Sequence, residues 1–386
     1  MKVNQIYDIV NTITTEITGK ENIVNEDLSN IVDVGTEIFN ASSVDNYVKT
    51  LVDRIGKVIF TNREYRGKLP TVLMDSWEFG SVLEKIQADL PEATENESWE
   101  LENGASYDPN IFYKPSVSAK FFNSKVTFEI PLSFTEKQVK SSFASATELN
   151  AFISMLYNAV DKSMTVKMDS LIMRTINNMI ATTFDSNDTN RAINLLDAYN
   201  TAMGLTGDNK LTVAKCMTNK EFLRFASMQI ALYIDRIGTM STLFNGGGKE
   251  RFTPKDLLHI VLLSNFTESS KMYLESDTFH NELVALPNFE TVPFWQGSGK
   301  TYSFDDVSKI MVTIKNGNST KQVNVGGILG VMFDRDSLGV ANVDKRVTTN
   351  YNPKAEFYNN WFKFDAGYFN DFNENFIMFY VADTTE

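Results

Sequence analysis

The sequence predicts an α+β chain built from more than one sub-domain, and three observations carry that prediction. Apolar residues recur every three or four positions over some ten turns in the middle of the chain. Runs of alternating apolar and polar residues lie on both sides of that stretch, the period of half-covered strands. The chain has 386 residues, more than one hydrophobic core usually serves. Composition supports a large packed interior: 42% of residues are hydrophobic and 12% aromatic, with 28 Phe and 14 Tyr.

The elements follow in order. Val3, Ile6, Tyr7, Val10, Ile13 and Ile17 stand at helical spacing. Residues 20–70 hold a weakly amphipathic segment, Val44 to Phe60, and the basic connector TNREYRGKLP, closed by Pro70. Residues 20–70 therefore read as an extended arm more than a domain. From Leu73 to Phe134 two extended runs flank the polar, acidic stretch LPEATENESWELENGASYDP, whose Asn-Gly and Asp-Pro pairs favour turns. In the returning run Val126, Phe128, Ile130, Leu132 and Phe134 alternate with polar residues and Pro131. Proline cannot donate to a ladder, so this run belongs to an edge or a two-stranded ribbon. A ribbon of this length is marginal by itself and is expected to find its partner in another subunit.

The strongest local signal comes next. Ser145 and Glu148 form an S-x-x-E capping box. Behind it Leu149, Phe152, Ile153, Leu156, Val160, Met164, Met168, Leu171, Ile172, Ile176, Met179 and Ile180 form one stripe. A helix from Ala146 to Thr182 would be roughly 55 Å long, which suits a spine. Its methionines read as core filling. KLTVAKCM reads as a strand, followed by a helix whose capping box is Thr218 and Glu221. The three glycines of FNGGGKERF read as a hinge or mobile loop. LLHIVLLS is a buried strand, KIMVTIK, QVNV and ILGVMFD are further short strands, and ESDTFHNELVA is a candidate helix. The aromatic end, NNWFKFDAGYFNDFNENFIMFYVAD, reads as two strands joined as a hairpin at NDFNEN.

Chemistry is sparse. The net charge of -13 and the lack of a basic run argue against gripping a phosphate backbone as the main task. Cys216 is the lone cysteine, a small buried apolar residue on this reading, so no intramolecular disulfide forms. With His259 and His280 as the histidines, a multi-His metal site cannot be built, and His259 reads as a core histidine. Paired carboxylates such as Asp305 with Asp306, or Glu95 with Glu97, read as solvated turn charges. PFWQGSGKTYS, Pro293 to Ser303, ends like a phosphate-binding loop at Gly299, Lys300 and Thr301. Phe294 stands where its first glycine belongs, and no helical run follows, so a surface turn is the better reading. Gly246 to Lys249 has no Ser or Thr after its lysine. No catalytic, cofactor-binding or metal residue is assigned.

Arm, projecting loop, spine helix and separate mixed domain, in that order, resemble the major capsid proteins of tailed double-stranded DNA bacteriophages, the Hong Kong 97 fold. KLTVAKCMTNKEFLRFAS is similar to that family's strand, Met-containing turn and helix. GGILGVMFDRDSLGV with KRVTTNYNPKAEFYNNWFKFDAGYFNDFNENFIMFYV is similar to its closing segment. The resemblance implies an N-terminal arm over 1–66 and an extended loop over 67–142. It implies a peripheral domain over 143–254 and 346–386, with its spine helix at 146–181, and an axial domain with a small mixed sheet over 255–345. It implies a structural, non-enzymatic subunit that assembles as pentamers and hexamers into an icosahedral head, without a membrane. Packaged DNA would be touched non-specifically, and scaffolding and portal proteins are possible partners. Assembly would take place in the host cytoplasm. Family members often begin with a cleaved scaffolding segment, for which this chain has no room before its arm; a separate scaffolding protein or none is implied. The abundance of Asn, Lys, Ile, Phe and Tyr suits a low-GC Gram-positive host. A connector or tail component, a nucleotide-binding enzyme using the degenerate loop, and a nucleic-acid-binding module stay as alternatives.

Overall fold

The computed structural model describes residues 3–20, 24–41, 44–61, 69–74, 83–88, 103–104, 110–114, 117–275, 289–297, 303–316 and 319–383. It divides into two compact units. One holds residues 1–81, 124–172 and 340–368; the other holds 82–123, 173–339 and 369–386.

In the first unit, the helical spacing of Val3 to Ile17 and the amphipathic segment Val44 to Phe60 are helices, α1 (Val3–Thr18) and α3 (Val44–Thr61), and a further helix, α2 (Ile31–Ala41), stands between them where an extended arm was expected. Each carries a clear apolar stripe but is marginal alone, so tertiary packing holds them. Ile6, Ile9, Val10 and Ile13 of α1, Val34 and Ile38 of α2, and Val48, Leu51 and Ile55 of α3 are all buried. Gly35 lets α2 approach Phe143 so closely that a Cβ there would lie 2.6 Å from its ring. Phe143 also meets Phe39 and Tyr47 edge-on at 5.2 Å in both pairs.

A four-stranded sheet completes this unit, in the order β1 (Leu73–Met74), β11 (Leu338–Asn352), β12 (Phe357–Asn370) and β4 (Lys125–Thr135). The alternation expected for β4 holds, and Pro131 lies in an edge strand as its missing N–H requires. One ladder of β4, however, is made within the chain: β12 pairs with it antiparallel from Thr135↔Phe357 to Lys125↔Gly367. The reason lies in matched aromatics across the register: Phe128 stacks near Phe364 at 5.1 Å and Phe134 near Tyr358 at 6.0 Å. After α4 (Glu136–Ser142), α5 runs unbroken from Ala146 to Asp185, 40 residues and roughly 60 Å. Ser145 Oγ accepts from the Glu148 amide at 3.2 Å, and Phe152 packs edge-on against Phe134 at 5.5 Å.

From Met173 onward α5 belongs to the second unit. There Ile176, Met179, Ile180 and Ala181 are buried. The unit's sheet is mixed, in the order β5 (Ala192–Asn194), β13 (Phe376–Tyr380), β10 (Ile328–Asp334), β6 (Leu258–Leu263) and β7 (Phe289–Val292). β10 is antiparallel to both neighbours, and the two outer pairs are parallel. Its seven residues are all buried, as a central strand's continuous apolar run requires. Helices α6 (Leu195–Ala202) and α8 (Lys220–Ile237) close the core with Leu196, Tyr199, Phe222, Leu223, Ile230 and Ile234. α9 (Ser264–Glu275), which periodicity did not single out, is anchored by buried Phe266. α10 (Phe304–Val307) and the hairpin of β8 (Ile310–Asn316) with β9 (Ser319–Val325) follow.

Four local expectations are corrected. KLTVAKCM forms a helical turn, α7 (Val213–Cys216), and not a strand: no strand pairs with it, while Asn200 brackets Leu211 through both its backbone groups. The cap of α8 is Asn219, whose side chain accepts from the Phe222 amide, because the Thr218 hydroxyl is turned back to the Lys215 carbonyl. The glycine loop is packed: Gly246 and Gly247 amides donate to the Phe372 carbonyl at 2.7 and 3.2 Å, and a Cβ on Gly247 would lie 2.2 Å from Asn373 Oδ1. The closing segment is no hairpin, because β12 and β13 belong to different sheets and 371–375 is the corner between them. The helix expected at ESDTFHNELVA lies outside the described residues beyond Glu275.

Candidate assembly surface

The residues weighed for chemistry do not converge. Phe294 follows β7, and Trp295 is buried, its Nε1 donating to the Ile328 carbonyl at 3.0 Å. Gly297 takes a φ of +97°. Lys300 and the rest of 298–302 lie outside the described residues, and the helix beyond them, α10, has four residues. Gly246 to Lys249 is folded on itself, with Asn245 bonded to the Lys249 amide and carbonyl. His259 stacks on Phe333 at 5.7 Å, and burial, with Arg335 adding to it, pushes its pKa down. His280, Glu95 and Glu97 lie outside the described residues. Cys216 is buried and its thiol is pushed up to about 12, chiefly by desolvation. Asp306 meets Lys309 at 2.7 Å. Among the described residues no group of His, Cys, Asp or Glu is placed to hold a metal ion, and no helix is long and apolar enough to cross a membrane.

What the second unit does present is a two-faced ribbon. β2 (Leu83–Ala88) pairs antiparallel with β3 (Val117–Phe122), from Leu83↔Phe122 to Ala88↔Val117. Alternation sorts its residues. Leu83, Lys85, Lys120 and Phe122 share the face turned to the unit: Phe122 meets Phe369 at 5.2 Å. The two lysines reach the corner between β12 and β13. Lys120 Nζ lies 2.8 Å from Asp371 Oδ1; Lys85 Nζ lies 3.1 Å from Asp371 Oδ2 and 2.7 Å from Glu374 Oε1.

The opposite face carries Glu84, Ile86, Val117, Ala119 and Phe121. Ile86 is 66% exposed, Val117 58% and Phe121 63%. Phe112 and Tyr113, in the separate described stretch 110–114, are 83% and 82% exposed. Ile86, Val117 and Phe121 thus leave an apolar patch uncovered on one side of the ribbon in the single chain. The acidic stretch and the ribbon were legible in the sequence; the uncovered face was not, because it depends on the pairing of 83–88 with 117–122, where the sequence suggested the run ending at Phe134.

A model of the Phi29-like phage major capsid proteins matches residues 8–380. The chain belongs to that family. Among curated relatives, the major capsid protein of Bacillus phage B103 is 25% identical over 166 residues, 42% of this chain and 36% of the relative. That of Bacillus phage GA-1 is 25% identical over 178 residues, 42% of this chain and 34% of the relative. The matched stretch thus spans about a third of each relative's length. Among solved structures, a chain from the capsid of Staphylococcus phage Andhra superposes with a TM-score of 0.50 at 12% identity, covering 83% of this chain and 86% of that one. This likeness is one of fold.

Proposed function

We propose that this chain is the shell-building subunit of a phage head, and that the outer face of the β2–β3 ribbon is one of the surfaces by which copies meet. Membership of the capsid family over 8–380 carries the reading. The ribbon supports it from the physical side. Its inner face is tied down by Lys85, Lys120 and Phe122, while Ile86, Val117 and Phe121 stay in water in the single chain. A second copy is the partner present at the highest local concentration wherever such subunits assemble, and repeated patches close into shells when symmetry lets each meet its complement.

Pentamers and hexamers, an extended loop over 67–142, a peripheral domain around α5 and an axial domain over 255–345 belong to this proposal. So do loose contact with packaged DNA, help from scaffolding and portal proteins, residence in the virion and assembly in the host cytoplasm. The net charge of -13 supports loose DNA contact, since strong binding draws on clustered Lys and Arg. The Bacillus hosts of the curated relatives fit the low-GC composition. The role is structural and not enzymatic. Phe294 in place of the loop's first glycine and the short α10 support that.

Sedimentation velocity followed by electron microscopy of the purified chain tests the proposal. Closed shells, capsomer rings or tubes in the megadalton range are expected, alone or with a scaffolding protein supplied. A chain that stays monomeric with every co-expressed head protein would overturn it.

A further inference from the structure

The base of the ribbon is held in an unusual way. Lys85 and Lys120 are direct cross-strand partners, so two like charges sit side by side on one face. Such a pair by itself pushes the strands apart. Here one fully buried carboxylate, Asp371, lies between them with one oxygen for each lysine. Glu374 takes the second contact of Lys85, and Arg251 Nε lies 3.4 Å from its other oxygen. Lys85 also donates to the Asp336 carbonyl at 3.3 Å.

The acceptor side is rigid. The Asp371 amide donates to the Ser337 carbonyl at 2.6 Å, and the Asn373 amide donates to Asp371 Oδ1 at 3.0 Å. Gly246 and Gly247 clamp the Phe372 carbonyl. Asn375 accepts from the Asp334 amide at 3.0 Å and donates to Thr253 Oγ1 at 3.1 Å. A fixed corner therefore meets two lysines on a two-stranded ribbon, an element that is marginal without support.

We propose that Asp371, with Glu374 beside it, is the catch of an ionic latch that fixes the stance of the β2–β3 ribbon, and that losing the catch frees the ribbon while the sheet behind it stays folded. The physical basis is the asymmetry of buried charge. With Asp371 neutral, Lys120 loses its carboxylate and Lys85 keeps Glu374 and the Asp336 carbonyl, so the two lysines face each other without the charge they share and the contact is weakened across the pair. This rests on the ribbon being an assembly element only for its biological use; the latch itself is a property of the single subunit. The charged groups bearing on it are Lys85, Lys120, Arg251, Glu374 and, next to Glu374, Asp334 and Asp336. Burial raises the Asp371 carboxyl, but Lys120, the Asn373 amide and Lys85 outweigh it and leave it below its ordinary value. A depressed carboxylate stabilises above its unfolded value and stops doing so only as pH falls through the folded one. The latch therefore stays shut through mild acidity and opens only below the ordinary carboxylate range.

Hydrogen exchange of the unassembled subunit, read by mass spectrometry, tests this whether or not shells form. In Asp371→Asn, amides of 83–88 and 117–122 should exchange on the order of ten-fold faster or more, with β10 and β13 unchanged. Lys120→Met, a change on the ribbon alone, should give a smaller acceleration confined to the same segments. Removing all three charges, Lys85→Met with Lys120→Met and Asp371→Asn, should slow the ribbon again relative to Asp371→Asn. Wild-type exchange of the ribbon in both single variants would overturn the proposal, as would an acceleration spread evenly over ribbon, β10 and β13.

Discussion

Replacing Ile86, Val117 and Phe121 together with threonine strips the apolar face while keeping β-branched residues suited to strands. The three are 66%, 58% and 63% exposed, so the subunit itself buries little of them. Folding stability should shift by no more than about 0.5 kcal/mol for each surface change. Assembly is another matter. Full burial of such a side chain contributes about 1.5–3 kcal/mol, so covering the exposed two-thirds contributes about 1–2 kcal/mol each. The three together would supply about 3–6 kcal/mol per ribbon contact, or roughly two to four orders of magnitude in its equilibrium constant. Because each subunit carries a ribbon, the loss recurs around the shell. The assay is the yield of shells by sedimentation velocity across a concentration series, with thermal unfolding of the subunit beside it. The triple variant should keep its melting temperature and assemble only at far higher concentration, if at all. Shells forming at the wild-type threshold would refute the assignment of this face, and a large fall in melting temperature would show that these side chains serve the subunit's own fold.

Gly327 takes a φ of +70°, and a Cβ there would lie 2.0 Å from the Val381 carbonyl oxygen, so Gly327→Ala should cost about 1–3 kcal/mol or more in chemical denaturation. The Cys216 thiol, raised to about 12, stays protonated through the neutral and mildly alkaline range; a thiol reagent at pH 8 should label it only on unfolding, and rapid native labelling would contradict its burial. Calorimetry should find no nucleotide bound by the wild-type chain or by Lys300→Ala; tight binding abolished by that substitution would restore the phosphate-loop reading.

The comparison of sequence with structure divides along the range of the interactions. The stripe of α5 and the alternation of β4 are periodicities within one segment, so the element type followed from local order alone. That β4 would avoid a sheet centre followed too, because Pro131 lacks a donor wherever it sits. The assembly site was half legible: extended runs around an acidic turn mark a projecting ribbon. Nothing local distinguishes Val117–Phe122 from Lys125–Thr135 as the partner of Leu83–Ala88.

What the sequence determined by itself was therefore the inventory: a spine helix, strands of known alternation, a core rich in aromatics, a lone inert cysteine, and too few histidines for a multi-histidine metal site. Tertiary structure decided the pairings. β4 joins β12 because their aromatics coincide in register, and β13 leaves β12 for the other sheet at the corner held by Asp371. Helices α1, α2 and α3 hold together because their apolar stripes bury one another, and the three-glycine loop is fixed because Phe372 and Asn373 come within reach. Each of these depends on free energy shared between segments far apart in the chain, which local periodicity does not encode.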